Sequence, residues 1–166
     1  MAMELVETIE VGAGGAASIE FTSIPQDGVD LLLLLSIRSD RSADQDNIDI
    51  TLNSSSSNFS VVRLYGTGSS ASSASTSSNL IAYAANAATS TSNTFSNTSI
   101  YISNYAASLA NSISIETTQE DNATGAYSSI QAMQWNDTSA INAVGLAPNL
   151  GTNWLQYSVV SLYKIS

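Results

Sequence analysis

Asp40, Asp44, Asp46, Asn47 and Asp49 form the densest group of side chains with chemistry to offer. Hard cations such as Ca2+ take about six to eight oxygen ligands, and a loop of this composition can supply them. The spacing departs from the EF-hand pattern, with no glycine at the turn and no glutamate closing the loop. Arg38 and Arg41 flank the acids and offer to neutralise them. The sequence therefore favours a solvated Asp40–Asp49 loop, with a cation site as the alternative.

A second chemistry is glycoside hydrolysis, which needs two carboxyl groups about 5–10 Å apart across a cleft. Glu116 with Glu120 or Asp121 are the candidates, and nothing around them marks burial or a shifted pKa. Serines are abundant, but the chain has no histidine to activate one. A Ser–Lys dyad would have to use Lys164, the only lysine. The same scarcity rules out a phosphate loop of the G-x-x-x-x-G-K-[ST] type. With neither Cys nor His, disulfides, thiolate sites and ordinary zinc sites are excluded. No catalytic, cofactor-binding or metal-binding residue is assigned, and the chain is expected not to be an enzyme.

Aromatic side chains offer binding instead. Tyr and Trp combine a flat apolar face with a polar tip, which suits both interfaces and sugar stacking. Trp135 and Trp154 fall near presumed strand ends and are the candidates for exposed contacts. The other aromatics are assigned to core or interface.

Charge narrows the partners. The 166 residues carry fourteen acids against four basic side chains, a net charge of −10. Nucleic-acid binding needs a basic stripe, and Arg38, Arg41, Arg63 and Lys164 cannot form one. The same balance disfavours an anionic membrane surface. Residues 1–49 hold ten acids and two arginines, a net of −8, whereas from Ile50 to Ile115 the only charge is Arg63. So long a stretch without charge reads as a neutral hydroxyl-rich face or as a face covered by partners. The opening MAMELVETIEV lacks a basic stretch followed by an apolar run, so no signal peptide is expected. The longest apolar run, Leu31 to Leu35, is far below the ~18–20 residues of a membrane span.

The elements that would position these side chains are strands. Period-two alternation recurs at Leu5–Val11, Ala17–Phe21, Ile48–Leu52, Ile100–Ile102 and Ile113–Ile115. Val29 to Ile37 is nearly all apolar and reads as a central strand covered on both faces, or covered on one by a partner chain. Trp154 to Ile165 reads as the last strand, and Leu80 to Ser92 as a strand followed by a loop. Turn signals fall at Gly12–Gly15, Pro25–Gly28, Asn53–Asn58, Gly66–Asn79, Thr117–Gly125 and Ala147–Thr152. Short strands at regular spacing predict one all-β domain over residues 1–166, an antiparallel β-sandwich of jelly-roll type with about eight to ten strands.

Residues along nearly the whole chain resemble small structural proteins of cyanophage and other marine phage particles. The matching segments are Val6–Val11 before a glycine-rich turn, Ile19–Pro25, and Asp30 leading into the leucine strand. Further matches are Ser57-Asn58-Phe59, Arg63–Gly68, Ile102–Tyr105, Asn122-Ala123-Thr124 with Tyr127, and Gln156-Tyr157 through Leu162-Tyr163. The resemblance implies a jelly-roll protein of the virion, made in the host cytoplasm and carried on the capsid surface. It implies a capsid decoration (cement) role, with the major capsid protein as partner and a homotrimer as the assembly. The alternative it implies is a fibre or tail-tip module for a receptor or glycan. It carries over no catalytic residue.

Overall fold

The computed structural model describes residues 2–121 and 125–166, so the Asn122-Ala123-Thr124 motif lies outside the described residues. The described chain forms strands and no helix. They are β1 (Met3–Glu10), β2 (Ile19–Phe21), β3 (Asp30–Ser36), β4 (Gln45–Leu52), β5 (Phe59–Gly66) and β6 (Ala71–Thr76). After them come β7 (Leu80–Asn86), β8 (Asn97–Ile102), β9 (Asn111–Glu120), β10 (Ala126–Trp135), β11 (Val144–Pro148) and β12 (Val159–Ile165).

The strands make a β-sandwich of two antiparallel sheets. The large sheet runs β1-β12-β3-β8-β9-β10-β5-β6 and the small one β2-β11-β4-β7. Two parts can be distinguished. A frame pairs β1-β12-β3-β8 with β2-β11-β4-β7, and the chain changes sheet at every step from one frame strand to the next except β4 to β7, which pair within the small sheet. Two hairpins, β5–β6 and β9–β10, leave this frame and pair with each other. They prolong the large sheet beyond β8 as a wing.

Alternation sets the core. Leu31, Leu33 and Leu35 of β3, Ile100 and Ile102 of β8, and Val160 and Leu162 of β12 point inward from the large sheet. Ile48, Ile50 and Leu52 of β4, Ile81 of β7, Val144 and Leu146 of β11, and Ile19 and Phe21 of β2 meet them from the small sheet. Each such side chain contributes about 1.5–3 kcal/mol on leaving water. The wing adds Ile113, Ile115, Val61, Met133 and the Phe59–Trp135 ring pair, whose centroids lie 6.3 Å apart.

Strand β7 lies over the inner face of β9 and β10, and its alanines let it come close. Ala82, Ala84 and Ala85 are all buried. The wing answers with polar side chains that are also buried: Thr117, Gln119, Ser129 and Gln131. Backbone groups of β7 that do not pair with β4 are bonded by these and other side chains. Gln131 takes both the N–H and the carbonyl of Ala82, while Ser96 and Thr98 donate to the Ala84 carbonyl. Buried backbone groups need such partners.

Four expectations change. The leucine run is buried on one face only, because Leu34 is 42% exposed on the outside and Leu32 is half-covered by its neighbours in register, Tyr101 and Tyr163. The stretch Gly66–Asn79 is not all loop: it holds β6, whose Ser and Ala have weak strand preference and are carried by the ladder to β5. Gly68 opens the connecting turn at φ 82°, the backbone a two-residue hairpin of the II′ kind requires. Thr117–Glu120 belongs to β9 rather than to a turn. The last strand starts at Val159, and Trp154 before it makes only isolated bridges to Ala16 and Ser39.

Candidate functional site

Three acids of the Asp40–Asp49 stretch, Asp40, Asp46 and Asp49, are bonded by the protein itself. Asp40 accepts the N–H groups of Thr152 (2.7 Å) and Asn153 (3.0 Å) and the Asn153 amide (3.2 Å). Burial pushes its carboxyl up, but the Asn153 and Thr152 donors outweigh this and hold it below the usual range. Asp46 is fully buried and accepts from Ser39 Oγ and from the N–H groups of Asn47, Leu150 and Gly151. Asp49 accepts the Asn149 amide on both oxygens at 3.1 Å. The residues 149–153 therefore occupy the place a cation would take, and no group of three acids positioned to hold a metal occurs among the described residues. Gly151 makes this possible: a Cβ there would stand 2.9 Å from Asp40 Oδ1 and 3.0 Å from Asp46 Oδ2.

The flanking arginines do not neutralise these acids. Arg38 turns to the loop after β7, where Nη1 donates to the carbonyls of Thr91 (2.7 Å) and Thr94 (3.0 Å). Its Nη2 donates to the carbonyls of Ser90 (2.8 Å) and Ala88 (3.3 Å). Burial lowers the Arg38 pKa. Arg41 donates to the Gln45 carbonyl.

The candidate acid pairs share no cleft. Glu116 and Glu120 lie on the outer face of β9, four residues and thus about 13 Å apart along the strand. Asp121 is buried and accepts the Gly125 N–H. Lys164 donates to both Asp27 oxygens at 2.8 Å and lies 3.3 Å from Glu4. The Asp27 carboxylate raises the Lys164 pKa, and Lys164 lowers that of Asp27. An ammonium held this way is no base for a serine.

Both tryptophans, expected as exposed contacts, are buried. Trp135 donates to the Ser57 carbonyl and Trp154 to the Leu146 carbonyl. Tyr83, in the left-handed region at φ 55°, stacks on Tyr127 at 4.7 Å and meets the Tyr65 ring, tilted by 36°, at 4.8 Å. Its ring is thereby engaged by two other tyrosines. The aromatic side chain most open to a ligand is Tyr157, 60% exposed, on a shallow groove of about 470 Å³ shared with Phe95, Asn93 and Asn153.

Sequence reasoning missed the outer face of the wing. Leu64 and Ile130 stand opposite each other there, as do Val62 and Ala132. Val62, Leu64 and Ile130 are 61, 57 and 59% exposed. Ser60, Ser73, Ser75, Ser128 and Gln134 surround them, and Glu116 of β9 stands opposite Ile130 at the border. The only charge on β5, β6 and β10 is Arg63, whose Nε and Nη1 are buried near the Tyr65 ring. The signal was present in the alternation of β5 and β10, where Val62, Leu64 and Ile130 occupy the parity opposite to the buried Val61 and Met133.

No family model matches the chain, and no curated protein or solved structure matches it.

Proposed function

We propose that the chain is a non-enzymatic structural protein of a bacteriophage particle, a capsid decoration (cement) protein that seats its wing on the major capsid protein. The observation that carries this reading is the uncharged outer face of β10, β5 and β6, with Val62, Leu64 and Ile130 open to solvent. Burying such a face sheds water from apolar surface and strips no charge on β5, β6 or β10 of its hydration; the carboxylate at its border is Glu116 of β9, opposite Ile130. The eight frame strands support the reading too, because their order, β1-β12-β3-β8 over β2-β11-β4-β7, suits the paired Greek keys of a jelly roll. Capsid domains commonly use that architecture.

Binding to particles that lack the protein tests it. Wild type should add to heads in hundreds of copies, and Leu64→Glu with Ile130→Glu should abolish binding while the melting curve stays in place. Unchanged binding by the double variant would sink the reading.

The exposed Tyr157 favours one second reading, a fibre or tail-tip module that takes a glycan in the groove beside Asn93 and Asn153. It requires a few to a few dozen copies per particle, and glycan retention that Tyr157→Ala removes.

A further inference from the structure

We propose that two copies of this chain join their large sheets by antiparallel pairing of β6 with β6. The proposal deepens the docking reading of the wing and names a second copy as the occupant of its edge.

An unprotected edge strand offers a row of free N–H and carbonyl groups to any passing strand, and proteins blunt such edges with charge, bulges, shortness or cover. Three of the four sheet edges here are blunted. Edge β1 carries Glu4, Glu7 and Glu10 and a register shift between Leu5 and Glu7. Edge β2 is three residues long. Edge β7 has a register shift against β4, the left-handed Tyr83 and the side-chain bonds to Ala82 and Ala84. Edge β6 has the sequence ASSAST over six residues paired without a shift to β5, and carries no charge, proline or bulge.

The hairpin fixes which groups face outward. Thr67 N–H donates to the Ser70 carbonyl, so residues 67 and 70 are a hydrogen-bonded pair. Such pairs alternate along an antiparallel ladder. Tyr65 with Ser72, Arg63 with Ala74 and Val61 with Thr76 are therefore bonded pairs, and Ala71, Ser73 and Ser75 direct their backbone groups to the free edge. These three positions are symmetric about Ser73. A two-fold axis there sets Ser73 against its own copy and Ala71 against Ser75, with about six backbone hydrogen bonds in all.

Charge leaves β6 as the edge at which a second copy can be seated. Each chain has a net charge of −10, so two copies repel wherever their acids meet. Pairing through β1 would bring the glutamates of both copies together, and like charges directly opposite are destabilising. Along β6 the facing residues are Ser and Ala, and no carboxylate lies on β5, β6 or β10. The wing is where two such acidic molecules can approach.

Sedimentation velocity and native mass spectrometry of the full chain test this. The expected species is a dimer. Ser73→Pro removes an outward N–H and no bond to β5, so it should give a monomer with unchanged circular dichroism. Ser73→Lys and Ser73→Glu should each weaken self-association, and an equimolar mixture should restore the dimer, because the axis brings residue 73 onto itself. A wild-type monomer, a trimer, a heterocomplex through β6 with another protein only, or a dimer indifferent to all three substitutions would overturn the pairing. A monomer that still binds particles removes the pairing and leaves the capsid reading standing. A β6 dimer that binds no particle supports the pairing and removes the capsid reading.

Discussion

The side-chain amide of Gln131 on β10 and the backbone of Ala82 on β7 bond each other in both directions. Nε2 donates to the Ala82 carbonyl at 3.1 Å, and Oε1 accepts the Ala82 N–H at 3.2 Å. Both residues are buried. One side chain thus does for the edge of the small sheet what a neighbouring strand would do, and it ties the wing to the frame. Gln131→Leu keeps most of the volume and leaves two buried backbone groups without these partners. A loss of about 2–4 kcal/mol is expected in urea unfolding, since each orphaned group costs about 1–3 kcal/mol. A loss below about 1 kcal/mol would mean that water reaches Ala82.

Arg38 organises the loop after β7 by donating to four backbone carbonyls, those of Ala88, Ser90, Thr91 and Thr94. A lysine has one ammonium and cannot reach so wide a fork. Arg38→Lys should destabilise by about 3 kcal/mol, as expected for a broken buried network. Cleavage within residues 88–94 by a protease of broad specificity should rise in parallel.

The Asp40 carboxyl titrates below its unfolded value because of the Asn153 and Thr152 donors. Its stabilisation is therefore present above about pH 4 and is lost as pH falls through the folded pKa. Urea midpoints measured from pH 6 down to pH 2 should fall more steeply for wild type than for Asp40→Asn, which has no such proton to take up. Parallel curves would remove Asp40 from the acid response.

Chelation should have no effect. The oxygens of Asp40, Asp46 and Asp49 are already met by protein donors, so millimolar EDTA should leave the thermal midpoint unchanged. A fall of more than about 2 °C, well outside the error of a scan, would place a cation in the fold.

Much of the frame was legible because burial follows parity. The alternation of Ile48, Ile50 and Leu52, and of Ile100 and Ile102, marks strands with one dry face, and the structure has them so. β6 was not legible: Ser and Ala say little about strand formation, and only its pairing partner β5 creates it. Trp154 was misplaced because proximity to a turn does not report what closes over it; the indole lies beneath the sandwich end, bonded to the Leu146 carbonyl. The acids were seen as a cluster, but most of their donors come from residues a hundred or more positions away, such as Thr152 for Asp40. Local spacing holds no trace of a contact that distant. The wing's open face was hidden for another reason. A strand read alone shows two parities and does not say which one a second layer will cover.

All four cationic side chains are engaged by the fold: Arg38 by loop carbonyls, Arg41 by the Gln45 carbonyl, Arg63 beside Tyr65, and Lys164 by Asp27. Trypsin cuts only where such a side chain can be drawn, extended, into its specificity pocket. The native chain offers it little foothold, so digestion must wait for an opening that frees one of these side chains, and its rate becomes a clock for that event.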